Sequence, residues 1–425
     1  MKSLLKSLIA LGMLFCAAHF LSVDNVFSEE PTAGKSFHID ASGISREVLE
    51  NYLDRSVTMA ELLAGEPFGP GGYPAKDDDL RLIENIGAKF IGRSVYRWGR
   101  EDFLTDPEYL GSAKKFAARI HKLDSEIVLQ ACLFEIVTQR VNNVPIPAWV
   151  FETFNLPPEE RNFSYERMLS PNGKFVNHWN GTSSVPDITQ QETQLWFIFL
   201  AGTYFDIGCE ALHLGQTALI GMNDPKLEHW NAFCLKLRDF AKEKTRRGWV
   251  LLDAHTPTGG MVYEGRSILD FNSFPLRIKE IPDTPLEGIL EVGYLDSLFL
   301  RSHGGVTPSG WKCDSVPFLV EFDNFGVSRT AGQATLNTHF IWGYDEITWL
   351  YQLDEERRNN WLKYAADWIR KTDPNAHLQM PVSRMISLGR GGSGERSFRA
   401  NNRSDALPNG LNLETTIKEL FEKFK

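Results

Sequence analysis

The chain has 425 residues, 42% of them hydrophobic and 24% charged, with a formal net charge of −10. This composition excludes a disordered chain and argues against a nucleic-acid binder, which needs a basic face. The length admits one large barrel or two ordinary domains.

The chain opens on MKSLLKSLIALGMLFCAAHFLSV, where Lys2 and Lys6 precede an apolar run from Leu8 to Val23. That is the pattern of a secretory signal peptide over residues 1–28, implying a secreted or periplasmic protein. The run is short for a bilayer span, and no later segment is long and apolar enough to cross one. Phe15 before Cys16 speaks against lipoprotein processing, which wants a small residue there. Cys132, Cys209, Cys234 and Cys313 follow the leader. The first two lie in apolar strand candidates, so buried free thiols are expected, with one disulfide as the alternative. No CxxC occurs, which leaves a thiolate zinc site without support.

Beyond a linker at 31–36, strand and helix patterns alternate. SFHIDAS (36–42) reads as a first strand, and residues 45–63 carry helical periodicity behind a Ser cap. A helix over 77–87 starts on three Asp and stops at Gly87. A strand is expected over 88–96, an amphipathic helix over 108–124 and a strand over 126–135. A Pro- and Asn-rich excursion covers roughly 136–186. Then come a helix over 188–205, a strand over 209–216, a helix over 224–247 and a strand over 249–255. A second long loop runs from about 256 to 290. GYLDSLFLRS (293–302) reads as a sixth strand, FLVEFDNFG (318–326) as a seventh and THFIWGYDE (338–346) as an eighth. A helix over 355–371 follows. Eight strands, most followed by a helix or a long loop, predict a single (β/α)₈ TIM barrel over 29–384 with long βα loops. Residues 385–425 read as a polar loop and a C-terminal helix. A doubly wound sheet would want a Gly-rich phosphate turn after its first strand, and there is none.

In such a barrel the chemistry sits at the C-terminal strand ends. Those ends offer Arg93, Arg97 and Trp98, then Glu135, then His213 and Gln216. Farther along come Asp253 and His255, then Glu321, Asp323 and Asn324, then Trp342 and Asp345. Alternation sends Phe318, Val320 and Phe322 to one face and Glu321 and Asp323 to the other. The same parity turns Asp253, His255 and His213 inward. Carboxylates converging in one mouth must share protons, cations or hydrogen bonds, and such pairs are what general acid and nucleophile chemistry needs.

The strand FLVEFDNFG with Glu321, together with Trp342 in IWGYDE, makes the chain resemble retaining (β/α)₈ glycoside hydrolases. The resemblance implies hydrolysis of an oligo- or polysaccharide without a cofactor or metal. It places a nucleophile at Glu321 on strand 7 and a substrate-facing Trp342 on strand 8. It departs from that pattern at strand 4, where CEALHLGQ ends in Gly215-Gln216 rather than Asn-Glu, so Asp253 or Glu135 would supply the acid. Arg93, Arg97, Trp98, His213, Gln216, His255, Asp323, Asn324, Trp342 and Asp345 are the expected substrate-binding or tuning residues. A metal-dependent barrel using His38, Asp40, His213, Asp253, His255 and Asp345 is the alternative. A glycan-binding barrel without catalysis is a third reading.

Overall fold

The computed structural model describes residues 36–64, 76–179, 181–324, 343–386 and 397–424. Eight parallel strands close on themselves: β1 (Ser56–Met59), β2 (Phe90–Val95), β3 (Val128–Cys132), β4 (Ala211–Gln216), β5 (Leu251–His255), β6 (Asn272–Pro275), β7 (Phe318–Glu321) and β8 (Ala376–Met385). Each pairs in parallel with the next, and β8 pairs back onto β1 through Val57 opposite Met380. The protein is a (β/α)₈ barrel. Its longer helices among the described residues are α1 (Arg46–Leu53) ahead of β1, α2 (Lys76–Ile86), α3 (Pro107–Leu123), α4 (Gln191–Ile207), α5 (Glu228–Lys244), α6 (Glu346–Gln352), α7 (Glu355–Thr372) and α8 (Glu414–Lys423), with short helical turns at Ala148–Thr153 and Thr217–Ile220. Among the described residues no helix follows β5 or β6; short antiparallel ribbons stand there instead.

Five expected strands are the observed β2, β3, β4, β5 and β7. The other three move. Residues 36–42 form no barrel strand; Phe37, Ile39 and Ile44 join α1 in plugging the N-terminal end, against Phe90, Val128, Ala211, Leu251 and Leu319. The first strand lies at 56–59, inside the stretch read as a helix, because α1 stops at Leu53. The sixth strand is Asn272–Pro275 rather than 293–302. The eighth is Ala376–Met385. Of the expected 338–346, residues 338–342 lie outside the described set, and Asp345 caps α6. After β8, β9 (Ser397–Arg399) pairs antiparallel with it, and α8 packs on α2 and α7.

The signal-peptide pattern over 1–28 lies outside the described residues. No helix among the described residues is long and apolar enough to cross a membrane. Cys132, Cys209, Cys234 and Cys313 are all free thiols, the first three buried.

Candidate active site

Period-two alternation sorts each strand into an outer and an inner set. On β7, Phe318, Val320 and Phe322 pack outward with the helices, while Leu319 joins the apolar floor of the barrel. Glu321 and Asp323 therefore rise inward above that floor. On β5, Leu252 and Ala254 face out, and Leu251 lies in the floor below Asp253 and His255. His213 stands likewise above Ala211 on β4.

Arg93 breaks this parity. Strict alternation groups it with Ile91 and Val95, which pack outward. The pairing of β2 with β3 slips between those two residues, and Arg93 takes φ +56°. Its N–H donates to Gln130 Oε1 at 3.0 Å. The preceding Gly92 leaves room for two amide side chains, since a Cβ there would lie 2.3 Å from Gln379 Nε2 and 3.1 Å from Gln130 Oε1 and would force them to shift. Left-handed backbone at a non-glycine residue costs on the order of 1–3 kcal/mol and persists only where surroundings enforce it. Here the return is a guanidinium aimed across the barrel.

That guanidinium grips Glu321 in a fork, Nε to Oε2 at 2.8 Å and Nη2 to Oε1, and also reaches Asp323 Oδ2 at 3.1 Å. Arg384 from β8 pairs with Asp323 and approaches Glu321 Oε2 at 3.5 Å. His255 Nε2 lies 3.0 Å from Glu321 Oε1. Two cations thus meet two carboxylates in a buried cluster. Burial would raise the Glu321 pKa, but Arg93, the His255 hydrogen bond and Arg384 outweigh it and hold the carboxyl well below its ordinary range. Burial pushes His255 down to about 3, so it stays neutral. Burial and the neighbouring Arg93 lower Arg384 to about 10, whereas Arg93 is raised because its coupling to Glu321 exceeds its desolvation. The difference follows from geometry, since Arg93 holds the bidentate seat on Glu321 and Arg384 the longer contact.

Asp253 is a hub one layer deeper. It accepts from Gln130 Nε2 at 2.5 Å and Ser273 Oγ at 2.7 Å, and it pairs with His213 Nδ1 at 2.8 Å. With 2% of its surface exposed, it can act only through His213. The His213 ring meets His255 edge-on at 4.7 Å, and its Nε2 has no hydrogen-bond partner among the described residues. Glu135 at the end of β3 accepts from the Gln216 backbone N–H at 2.9 Å and from Gln216 Nε2 at 2.7 Å. Gly215 makes room for it: a Cβ there would sit 2.1 Å from Glu135 Oε2, and the backbone is at φ +61°.

The sequence reading missed Glu61, Tyr96, Gln130 and Arg384. Glu61 follows β1 at φ +57°, its N–H donating to Arg93 O at 3.0 Å and its Oε1 accepting from Arg97 Nη1 at 2.5 Å. Burial pushes the Glu61 carboxyl up in spite of Arg97. Burial also raises Tyr96; Glu61 adds to that, while Arg384 and Arg93 oppose it. Arg384 was not legible from parity, since strict alternation groups it with Ala376, Leu378, Met380 and Val382, which pack outward, and the pairing of β8 with β1 shifts just before it, between Pro381 and Ser383.

The remaining expected residues divide. Arg93, His255, Glu321 and Asp323 converge, with His213 and Asp253 beneath them. Arg97 is taken by Glu61, and its guanidinium lies 4.3 Å from the Tyr109 ring centre. Asn324 Nδ2 donates to Asp345 Oδ1 at 3.3 Å, and Asp345 accepts from Thr348 N–H at 3.1 Å as the cap of α6. Trp342 lies outside the described residues and is no part of β8. Trp98 stands exposed at the rim, edge-on to Phe134 at 5.4 Å and to Trp179 at 5.1 Å.

His255, Glu321 and Asp323 bring ligand atoms within 4.8 Å of one another, the geometry of a metal site. Arg93 and Arg384 already occupy those carboxylates, and a divalent ion would have to displace or face both. His38 and Asp40 are exposed to 76% and 50% at the opposite, plugged end of the barrel, so they cannot join a site at the mouth. Protein purified without chelators is expected to carry only substoichiometric zinc or manganese by elemental analysis. One equivalent of either would return the metal-dependent reading.

No family model matches the chain, and no curated protein matches it. Among solved structures it is similar to the cyclic alpha-maltosyl-(1→6)-maltose hydrolase of Arthrobacter globiformis, at 12% identity and TM-score 0.47, covering 88% of this chain and 83% of that one. It is also similar to the maltogenic alpha-amylase AmyB of Thermotoga neapolitana, at 14% identity and TM-score 0.35, with 52% of this chain and about half of that one covered (50%). A third is the debranching enzyme of Nostoc punctiforme, at 12% identity and TM-score 0.32, covering 52% of each chain. At these values the likeness carries no weight of its own, and the barrel assignment rests on the closed ring of strand pairings.

Proposed function

We propose that this chain is an exported hydrolase of glycosidic bonds in an oligo- or polysaccharide, working at the C-terminal mouth of its barrel. The observation that carries the reading is the pair of carboxyls with opposed environments there. Glu321 is held ionised by two arginines and a neutral histidine, while burial raises the Glu61 pKa in spite of its pairing with Arg97. Carboxyls pushed apart in this way divide the roles of acid and base. An ionised carboxylate and a carboxylic acid flanking one bond are the requirement of glycoside hydrolysis.

In this assignment Glu321 is the nucleophile or base, and Glu61 is the proton donor. Glu61 keeps 21% of its side chain exposed, so it can meet a substrate from the rim. Glu135 is the second candidate donor, locked by Gln216 beside the same mouth. Asp253 holds His213 in orientation and does not touch substrate. Arg93 and Arg384 keep Glu321 ionised and seat both it and Asp323, and Arg97 tunes Glu61.

A panel of aryl glycosides and polysaccharides, assayed with wild type and Glu61→Gln across pH, tests the assignment. Wild-type rates should fall on the alkaline side as Glu61 loses its proton. Glu61→Gln should lose about 10²–10⁴-fold in kcat, the usual contribution of general acid catalysis, and with it that alkaline limb. An unchanged rate and profile would hand the donor role to Glu135, and no turnover of any glycoside would end the hydrolase reading.

A further inference from the structure

Beside the mouth lies a cleft of about 610 Å³ that the carboxylate cluster does not use. One wall is the segment after β2, with Trp98; the other is the excursion after β3, including Ile136, Thr138, Arg140, Glu166 and Asn177. Its walls are fastened from behind. Thr138 donates from its N–H and its hydroxyl to the Glu101 carboxylate at 2.6 and 2.8 Å. Val137–Thr138 pairs antiparallel with Ser183–Ser184, and the Asn177 N–H donates to Ser184 Oγ at 2.8 Å. Trp179 Nε1 donates to Glu135 O at 2.7 Å, tying the excursion to the end of β3.

We infer that this cleft binds a neutral oligosaccharide of two or more rings, with the exposed face of Trp98 as its stacking platform. The inference rests on the carbohydrate reading and extends it to a substrate class. Trp98 is 41% exposed although it is a large aromatic, and Phe134 and Trp179 brace it edge-on. A rigid ring with one wet face offers contact area at little entropy cost. The volume falls within the range of about 300–1,000 Å³ typical of sites for drug-sized ligands, larger than one sugar ring requires. The charges in the lining are Arg140 and Glu166, and Arg140 also serves Asp102 at 3.2 Å. With no net positive charge to spare, the cleft suits hydroxyl-rich neutral sugars and disfavours uronic acids. A single ring stands between the cleft and the catalytic layer: Phe134 touches Trp98 on one side, meets His213 at 6.0 Å on the other and lies under the Arg93 guanidinium at 5.5 Å. A chain seated on Trp98 would thus lie one aromatic ring away from the cluster around Glu321.

Calorimetric titration with maltotetraose, cellotetraose, xylotetraose, mannotetraose, tetragalacturonate and the matching monosaccharides tests this. Wild type, Trp98→Phe, Trp98→Ala and Glu321→Gln are compared. At least one neutral tetrasaccharide should bind at least tenfold more tightly than its monosaccharide. Trp98→Ala should lose that tenfold gain, and Trp98→Phe should restore part of it. Equal affinity of wild type and Trp98→Ala for every ligand, binding of tetragalacturonate alone, or no binding at all would each overturn the inference. Turnover separates it from the parent reading. Binding that depends on Trp98, with no hydrolysis by wild type, would sink the hydrolase and leave the cleft standing. Hydrolysis by wild type with affinity indifferent to Trp98 would do the reverse.

Discussion

Replacing Glu321 by Gln is expected to reduce kcat on the best glycoside by at least about 10³-fold, some 4 kcal/mol of transition-state stabilisation. Gln preserves the volume and can still accept from one arginine, so the change removes the charge rather than the shape. Without that charge no nucleophile or base remains to stabilise an oxocarbenium-like transition state. The variant should also be less stable, because Arg93 and Arg384 are then left with Asp323 alone in a buried cluster. Breaking a buried pair from one side costs about 3–5 kcal/mol, and partial solvation through the mouth places the expected loss at the lower end. Rate and thermal melt together separate the two effects. Equal turnover by a folded Glu321→Gln would remove Glu321 from the mechanism.

Arg93→Met is expected to cost about 3–5 kcal/mol of folding free energy at neutral pH, since Glu321 loses its bidentate partner and stays buried. Met keeps the length and apolar bulk, so a cavity does not account for the loss. The effect should depend on pH with a definite sign. The folded-state pKa of Glu321 is depressed, so its ionised form stabilises the wild type fully above the ordinary value near 4.5 and progressively less as pH falls through the depressed one. Without Arg93 much of that depression goes. The stability gap between wild type and Arg93→Met should therefore narrow as pH falls from about 6 to about 3. Arg93→Lys should lie between them, for it keeps charge but loses the fork. Urea unfolding at the two pH values provides the measurement, and a gap independent of pH would contradict the role given to Arg93.

Several features were legible in the residues alone. The strands β2, β3, β4, β5 and β7 combine apolar runs with flanking helix signals, and their alternation was sufficient to turn Glu321, Asp323, Asp253, His255 and His213 inward. The three displaced strands were hidden by different local features. β1 and β6 are only four residues long and buried throughout; the alternation of Ser56, Val57, Thr58 and Met59 is too short to stand out, and Asn272–Pro275 does not alternate at all. β1 is preceded by α1, whose periodicity runs on past Leu53 in the sequence but not in the fold. β8 holds Pro381 in its interior, an unusual residue for a strand buried on both faces. Losing β1 and β8 meant losing Glu61 and Arg384.

Side-chain parity on a strand is written in the local residues, because a period of two is a property of the local backbone. Which side chain meets which was decided only by closure of the barrel. Arg93 and Glu321 stand 228 positions apart, and Arg93 faces inward only because the pairing of β2 with β3 slips and forces its backbone through φ +56°. Neither the slip nor the resulting cluster of charges has a local signature, since both arise from strands that become neighbours, or face one another across the barrel, only when the ring of eight is complete.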